Sequence, residues 1–173
     1  MAESPLRPVD DQARRQAKAI VRTATFGALA TIEPETGAPL ASRVGVASDT
    51  DGAPVLLISS LAAHFVALSA NPACSLLLGE PGKGDPLAHP RLTMIGKALR
   101  IEDPEHAETT KRLYLRRHPK AELYVGFADF AFWRIDLDRA LFNAGFGKAY
   151  SMAPEDLLVS KSLGAGSQPP TEV

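Results

Sequence analysis

The sequence predicts a mainly β protein, a small closed or split barrel of six or seven antiparallel strands with flanking helices. The apolar period changes from 3.6 residues to 2 after Ala24, which marks the passage from a helix to strands. Short polar turns at residues 34–37 and 49–52 join the first three strands into an antiparallel meander. The chain has 173 residues, 45% of them apolar and 23% charged, so one domain can bury its own core.

The elements follow from caps, periods and turn residues. The expected helices are residues 10–24, 61–70, 103–118 and 154–161, the first three capped by Asp10, Ser60 and Asp103. The expected strands are residues 26–32, 39–47, 55–59, 74–78, 92–101, 130–137 and 140–144.

The ends of the chain differ from its body in composition. Residues 1–9 are expected to form a flexible N-terminus, residues 10–163 the folded domain, and residues 164–173 a flexible tail rich in Gly, Ser and Pro. No run approaches 18 apolar residues and the start lacks a signal-peptide pattern, so a cytoplasmic location is expected. The single cysteine, Cys74, excludes an intramolecular disulfide and is interpreted as a small core residue.

Charge argues against several classes of partner. Nineteen basic and twenty acidic residues give a net charge of −1, which argues against a nucleic-acid or membrane binder. Four basic residues of the first helix lie off its apolar stripe and are interpreted as a solvated face rather than a phosphate-binding patch: Arg14, Arg15, Lys18 and Arg22.

Several catalytic motifs are missing from the sequence. The glycine-rich loop at residues 79–85 has no GK[ST] and opens no helix, so it is interpreted as a long hairpin loop. The four histidines lack HExxH or i,i+4 spacing, so no metal site is expected. No GxSxG elbow occurs, and the catalytic residues stay unknown.

One set of residues is typical of an anion site. Arg43 lies on the second strand, Ser59 and Ser60 end the third at the mouth of a helix, and His64 follows one turn later. Free N–H groups at a helix start and a guanidinium fork both suit phosphate. Helix capping and a surface arginine explain the same residues, so both interpretations stay open at this point.

At these residues the sequence resembles a known family. Residues 42–47 (SRVGVA), 57–64 (LISSLAAH) and 94–98 (MIGKA) resemble the pyridoxamine 5'-phosphate oxidase-like FMN-binding split barrel. Residues 78–87, 124–130 and 144–149 are similar to the haem-utilisation branch of that superfamily. The match covers about residues 12–160 and implies a six- or seven-stranded antiparallel split barrel.

The resemblance also implies a homodimer with FMN in the clefts between subunits. It places the FMN phosphate on Arg43, Ser59 and His64, and the strand-two backbone along the isoalloxazine edge. The full cofactor-binding set that it implies is Arg43, Val44, Gly45, Val46, Ser59, Ser60, His64, Arg91, Gly145, Phe146 and Gly147. Some of the aromatic residues Phe127, Phe130, Phe132 and Trp133 are expected at the dimer interface.

The resemblance leaves three hypotheses. The first is an FMN-dependent oxidoreductase acting on an unknown small substrate. Genuine pyridoxamine-phosphate oxidase activity is not expected, because Ser48 replaces the family's strand-two lysine and no C-terminal Arg-x-His occurs. The second is a haem-binding or haem-utilisation protein on the same barrel, with His89 or His118 as axial ligand; no histidine follows His118, so haem degradation is not expected. The third is a dimeric barrel that has lost its cofactor.

Overall fold

The computed structural model describes residues 6–159, and residues 1–5 and 160–173 lie outside the described part. The helices are α1 (Asp11–Thr23), α2 (Ala63–Ala70), α3 (Pro104–Arg117) and α4 (Pro154–Leu157), with short 3₁₀ turns at Pro86–Ala88 and Pro119–Leu123. The strands are β1 (Phe26–Ile32), β2 (Pro39–Gly45), β3 (Ala47–Ser48), β4 (Pro54–Ser59), β5 (Ala73–Leu78), β6 (Arg91–Arg100), β7 (Phe130–Asn143) and β8 (Ala149–Met152).

All strand pairs are antiparallel and form one sheet. The strand order is β2-β1-β5-β6-β7-β4-β3, and β8 pairs with β7 off this path. The two outermost strands, β2 and β3, follow each other in the chain with only Val46 between them. The sheet therefore curls into a half-barrel, which confirms the predicted split barrel with flanking helices.

Most elements lie where the sequence predicts them. The Asp10 side chain accepts the Ala13 N–H at 2.7 Å and starts α1, and Asp103 accepts the His106 N–H at 2.7 Å and starts α3. Ser60 does not cap α2; the N-cap residue is Ala62, which has no side-chain hydrogen bond.

The sheet has eight strands instead of six or seven. The two predicted strands 130–137 and 140–144 are one strand, β7, which ends at Asn143. Between them the register shifts opposite Ile95 and Gly96, so a bulge absorbs one residue and the strand continues. The sequence analysis missed β8 and did not separate β3 from β2.

The core fills the barrel and the space beneath α1. One face of α1 buries Ala13, Ala17 and Val21, as its apolar period predicts. A second, smaller cluster lies under α3 and includes Tyr114 and Phe132. Residues 6–9 run beside β8, where the Arg7 N–H donates to the Ala149 carbonyl at 2.8 Å.

The outward face of the sheet is left uncovered by the described helices. The register places Ala28, Leu77, Thr93 and Leu141 in one row across β1, β5, β6 and β7. Leu77 and Leu141 are each 42% exposed. No described helix is both long and apolar enough to cross a membrane.

Candidate functional site

The predicted strand-two residues alternate between the core and the outer face. Val44 and Val46 are buried, whereas Arg43 is exposed. The Arg43 guanidinium lies 5.5 Å from the centre of the Phe26 ring. This cation–π contact holds the cation on the outer face of the barrel.

Gly45 lies where α3 presses against the barrel. A Cβ atom at Gly45 would lie 2.5 Å from the Tyr114 hydroxyl, so only glycine fits. The His118 Nε2 lies 2.9 Å from the Val46 carbonyl, to which it donates a hydrogen bond. The Tyr114 and His118 rings contact each other with centroids 4.5 Å apart. Together they fix the bend between β2 and β3.

Ser59 and Ser60 are held by the turn that precedes β7. The Ser59 hydroxyl donates to Asp129 Oδ2 at 2.6 Å and accepts the Leu61 N–H at 3.1 Å. The Ser60 N–H donates to the Asp129 carbonyl at 2.7 Å. The predicted phosphate position therefore has an acidic side chain beside its hydroxyl, which opposes a bound anion.

His64 lies in the first turn of α2 and is half-buried. Its ring has no hydrogen bond or ion pair within residues 6–159, so both ring nitrogens are uncommitted. Burial lowers the pKa of His64 below its usual value of 6.5, because the charged form loses hydration. The imidazole is therefore neutral near pH 7.

Each of the other three histidines makes a hydrogen bond through Nε2 within the protomer. His89 contacts the Lys83 carbonyl at 3.0 Å, and His118 contacts the Val46 carbonyl. His106 Nε2 lies 2.7 Å from Asp49 Oδ2. His89 and His118, the axial ligands that the haem hypothesis named, thus have structural roles in this chain.

Arg91 and residues 145–147 meet at one end of the barrel. Arg91 is the first residue of β6 and pairs with Asn143, and its guanidinium donates to the Leu87 carbonyl at 3.0 Å. The Asn143 side chain accepts the Gly145 N–H at 3.0 Å. Phe146 is 83% exposed at the tip of this turn.

The predicted set therefore forms three groups: Arg43–Val46, Ser59–His64, and Arg91 with the 145–147 turn. Within residues 6–159 no hydrogen bond or ion pair joins one group to another. One protomer presents these groups on separate elements.

A family model, described as the CREG β-barrel, matches residues 8–158. This chain belongs to the CREG β-barrel family. The family has the split-barrel fold of the pyridoxamine-phosphate-oxidase-like superfamily, so the coarser part of the sequence resemblance is confirmed.

Two relatives of this CREG-family chain carry haem in their names. The noncanonical heme oxygenase HOZ, a chloroplastic protein of Arabidopsis thaliana, is 36% identical over 135 residues. The match covers 77% of this chain and 40% of that protein. The heme binding protein from Mycobacterium smegmatis is 33% identical with a TM-score of 0.77, over 86% of this chain and 61% of that one.

A third relative supports the fold, but its name refers to no function. The protein Atu2129 from Agrobacterium tumefaciens is 30% identical with a TM-score of 0.78, over 92% of this chain and 66% of that one. The CREG-family chain thus spans less than two thirds of each of these three proteins.

The sequence analysis missed a buried charge cluster behind the CREG barrel's β3–β4 turn. Arg134 donates to Asp49 at 2.7 Å and to both oxygens of Asp51 at 2.8 and 2.7 Å. Burial alone would raise the pKa of Asp49, but hydrogen bonds from Thr50, His106 and Arg134 outweigh it and the pKa is lowered. The signal in the sequence is the Asp-x-Asp of the turn, which was interpreted only as turn chemistry.

Proposed function

We propose that this chain binds haem on the split barrel, with His64 as the axial ligand, and acts in haem utilisation. The two relatives at 36% and 33% identity support the ligand class, since their names refer to heme. The observation that carries the choice of residue is the uncommitted ring of His64. Bound haem would supply a redox-active iron, whose reactivity the surrounding side chains tune.

The environment of His64 suits an iron ligand. A neutral imidazole nitrogen is the form that binds iron, and burial keeps His64 neutral. The three other histidines have already given Nε2 to a carbonyl or a carboxylate. Each of them would have to break a hydrogen bond before it could bind iron through that atom.

The surface around His64 suits a flat apolar ring. Leu61 is 87% exposed in the turn that precedes α2, three residues before His64. Leu123 and Phe127 are exposed in the segment between α3 and β7. The Ser60 N–H donates to the Asp129 carbonyl and joins the end of that segment to the turn before α2. These exposed apolar side chains are the surface on which we place the tetrapyrrole.

FMN is the other candidate for the site, and its phosphate is the difficulty. The resemblance places the phosphate at Ser59, whose hydroxyl already donates to Asp129. His64 is neutral and adds no positive charge there. Arg43 supplies a cation, but its guanidinium lies over Phe26 on the outer face. The Asp129 carboxylate therefore disfavours a phosphate at Ser59, whereas haem can place its apolar ring here with its two propionates directed away from Asp129.

Haem titration of the full chain tests the proposal. Wild-type protein should bind hemin with a Soret band typical of histidine ligation. His64→Ala should lose that band and bind at least about tenfold more weakly, a difference of ~1.4 kcal/mol. His89→Ala is the matched control and should titrate like wild type. Because His64 makes no hydrogen bond with the described part of the chain, the variant should unfold in urea at nearly the wild-type midpoint.

Other results of the titration would change the assignment. If His64→Ala and wild type gave the same spectrum and affinity, His64 would not be the ligand. If the wild type bound FMN and not hemin, the flavin hypothesis would replace this one. In that case Arg43→Ala should weaken FMN by about 10- to 150-fold, as expected for a lost charge-assisted contact.

We also propose that the chain is a homodimer that pairs through the outward face of the sheet. The face presents Phe26, Ile32, Leu77 and Leu141, which are 38–42% exposed, beside alanines of β1 and β2. Apolar side chains spread across β1, β5 and β7, on a face that no described helix covers, are typical of a surface that a second copy covers. Of the four aromatic residues of which some are expected at the interface, Phe132 and Trp133 are buried in the protomer and Phe127 is 59% exposed.

A further inference from the structure

A cleft between α1 and α3 gathers three arginines that the proposed function does not use. Arg22 lies in the last turn of α1, and Arg116 and Arg117 lie in the last turn of α3. The Arg117 guanidinium donates to the Arg22 carbonyl and ties the two helices together. β3 forms the floor, where the Ser48 hydroxyl donates to the Val21 carbonyl at 3.3 Å.

The cleft is a cavity of about 210 Å³ with no acidic side chain in its lining. It is lined by Arg22, Ala47, Ser48, Leu113, Arg116 and Arg117. Arg22 and Ser48 also line an adjoining cavity, which contains Lys18 together with Asp49 and Asp51.

None of the three guanidinium groups has a carboxylate partner within residues 6–159. The two acidic residues of the adjoining cavity, Asp49 and Asp51, are paired with Arg134. The helix dipoles explain a basic residue in the last turn of each helix. They do not explain why three arginines line one cavity, because like charges at short range repel each other and such a cluster is unfavourable without an anion.

We propose that this cleft binds a phosphate group, as the free dianion or as the end of a phosphomonoester. Guanidinium forks match phosphate oxygens in pairs, so Arg22, Arg116 and Arg117 carry the proposed contacts. The Ser48 hydroxyl already donates to the Val21 carbonyl and is not counted among the donors. The volume lies below the 300–1,000 Å³ of ordinary ligand pockets, so it suits a small anion and not a tetrapyrrole. The site is thus separate from the His64 edge and does not depend on haem binding.

Thermal unfolding of the full chain with inorganic phosphate tests the site. We expect the melting temperature to rise by about 3–5 °C when phosphate reaches tenfold its dissociation constant. Sodium chloride at matched ionic strength should not reproduce the rise. Calorimetric titration should show that Arg22→Gln or Arg116→Gln each weakens phosphate at least about tenfold.

The matched control is Arg15→Gln, which removes the same charge from α1 about 10 Å along the helix. It should bind phosphate like wild type. The double variant Arg22→Gln/Arg116→Gln should be at least as stable as wild type in chloride, because it removes like-charge repulsion, and should gain nothing from phosphate. Methyl phosphate in place of phosphate distinguishes an ester from the free ion as the preferred form. Equal phosphate shifts in the wild type and the double variant would overturn the proposal.

Discussion

Two polar regions of the barrel are built in opposite ways. Behind the β3–β4 turn, Asp49 is 6% exposed and accepts hydrogen bonds from Arg134, His106 and Thr50. At the start of α2, His64 is half-buried and makes no hydrogen bond with any of residues 6–159. The first region uses its polar groups to hold the fold, whereas in the second the imidazole that we propose as the haem ligand has no partner among those residues.

This contrast explains why a buried charge and a binding residue are easily confused. The pKa is lowered at both residues, but for different reasons. The pKa of Asp49 is lowered because its hydrogen bonds outweigh the effect of burial, and the pKa of His64 is lowered because burial disfavours its charged form. A pKa shift alone therefore does not separate structure from function. The hydrogen-bond partners do.

The largest effect is expected where the charge cluster loses its cation. Arg134→Leu leaves Asp49 buried without its arginine, which should lower the free energy of unfolding by roughly 3–5 kcal/mol. Urea denaturation measures the loss. Arg139→Leu, on the same strand but exposed, should stay within about 0.5 kcal/mol of wild type. Equal effects at the two positions would show that the cluster adds nothing to stability.

The next effect concerns the contact between α3 and the barrel. Gly45→Ala puts a methyl group 2.5 Å from the Tyr114 hydroxyl, so it should destabilise the fold by about 1–3 kcal/mol. Tyr114→Phe removes that oxygen and leaves the next ring atom 3.6 Å from the new methyl. The double variant should therefore recover most of the loss, measured as a coupling energy in urea. Strict additivity of the two changes would contradict the proposed clash.

The sequence predicted the elements well where a local signal was strong. Asp10 and Asp103 capped their helices as expected, and residues 26–32 formed the predicted strand. The failures came from interactions distant in the chain. A bulge opposite Gly96 keeps β7 in one piece, and pairing with β7 creates β8 from a stretch without a clear alternating pattern.

The candidate site was harder to predict for the same reason. Residue types singled out Ser59 and His64, but the acid beside Ser59 comes from residue 129, which lies 70 positions away in the chain. The roles of His89 and His118 depend on backbone carbonyls that no pattern reveals. Which histidine is free is a property of the folded chain.

A further prediction concerns the exposed face of the sheet. Leu77→Lys places a charge in the middle of the proposed dimer face, and two such charges would meet across a two-fold axis. We expect the dimer to weaken at least about tenfold, seen as a monomer mass by light scattering at micromolar concentration. Arg15→Gln, exposed on α1 and not on the outward face of the sheet, should leave the mass unchanged. A monomeric wild type would refute the dimer.

The smallest effect separates the two regions by pH. The pKa of Asp49 is below its ordinary 3.8, so the stability that it contributes is complete above about pH 4 and is lost as pH falls through the folded value. His64 binds iron only when neutral, so hemin affinity should fall as pH drops through a pKa below 6.5. Near pH 5 the fold should therefore keep its urea midpoint while hemin binds more weakly. Asp49→Asn should reduce the loss of stability at acid pH and leave the pH dependence of hemin affinity unchanged. If Asp49→Asn also shifted the pH dependence of hemin affinity, the two regions would be coupled.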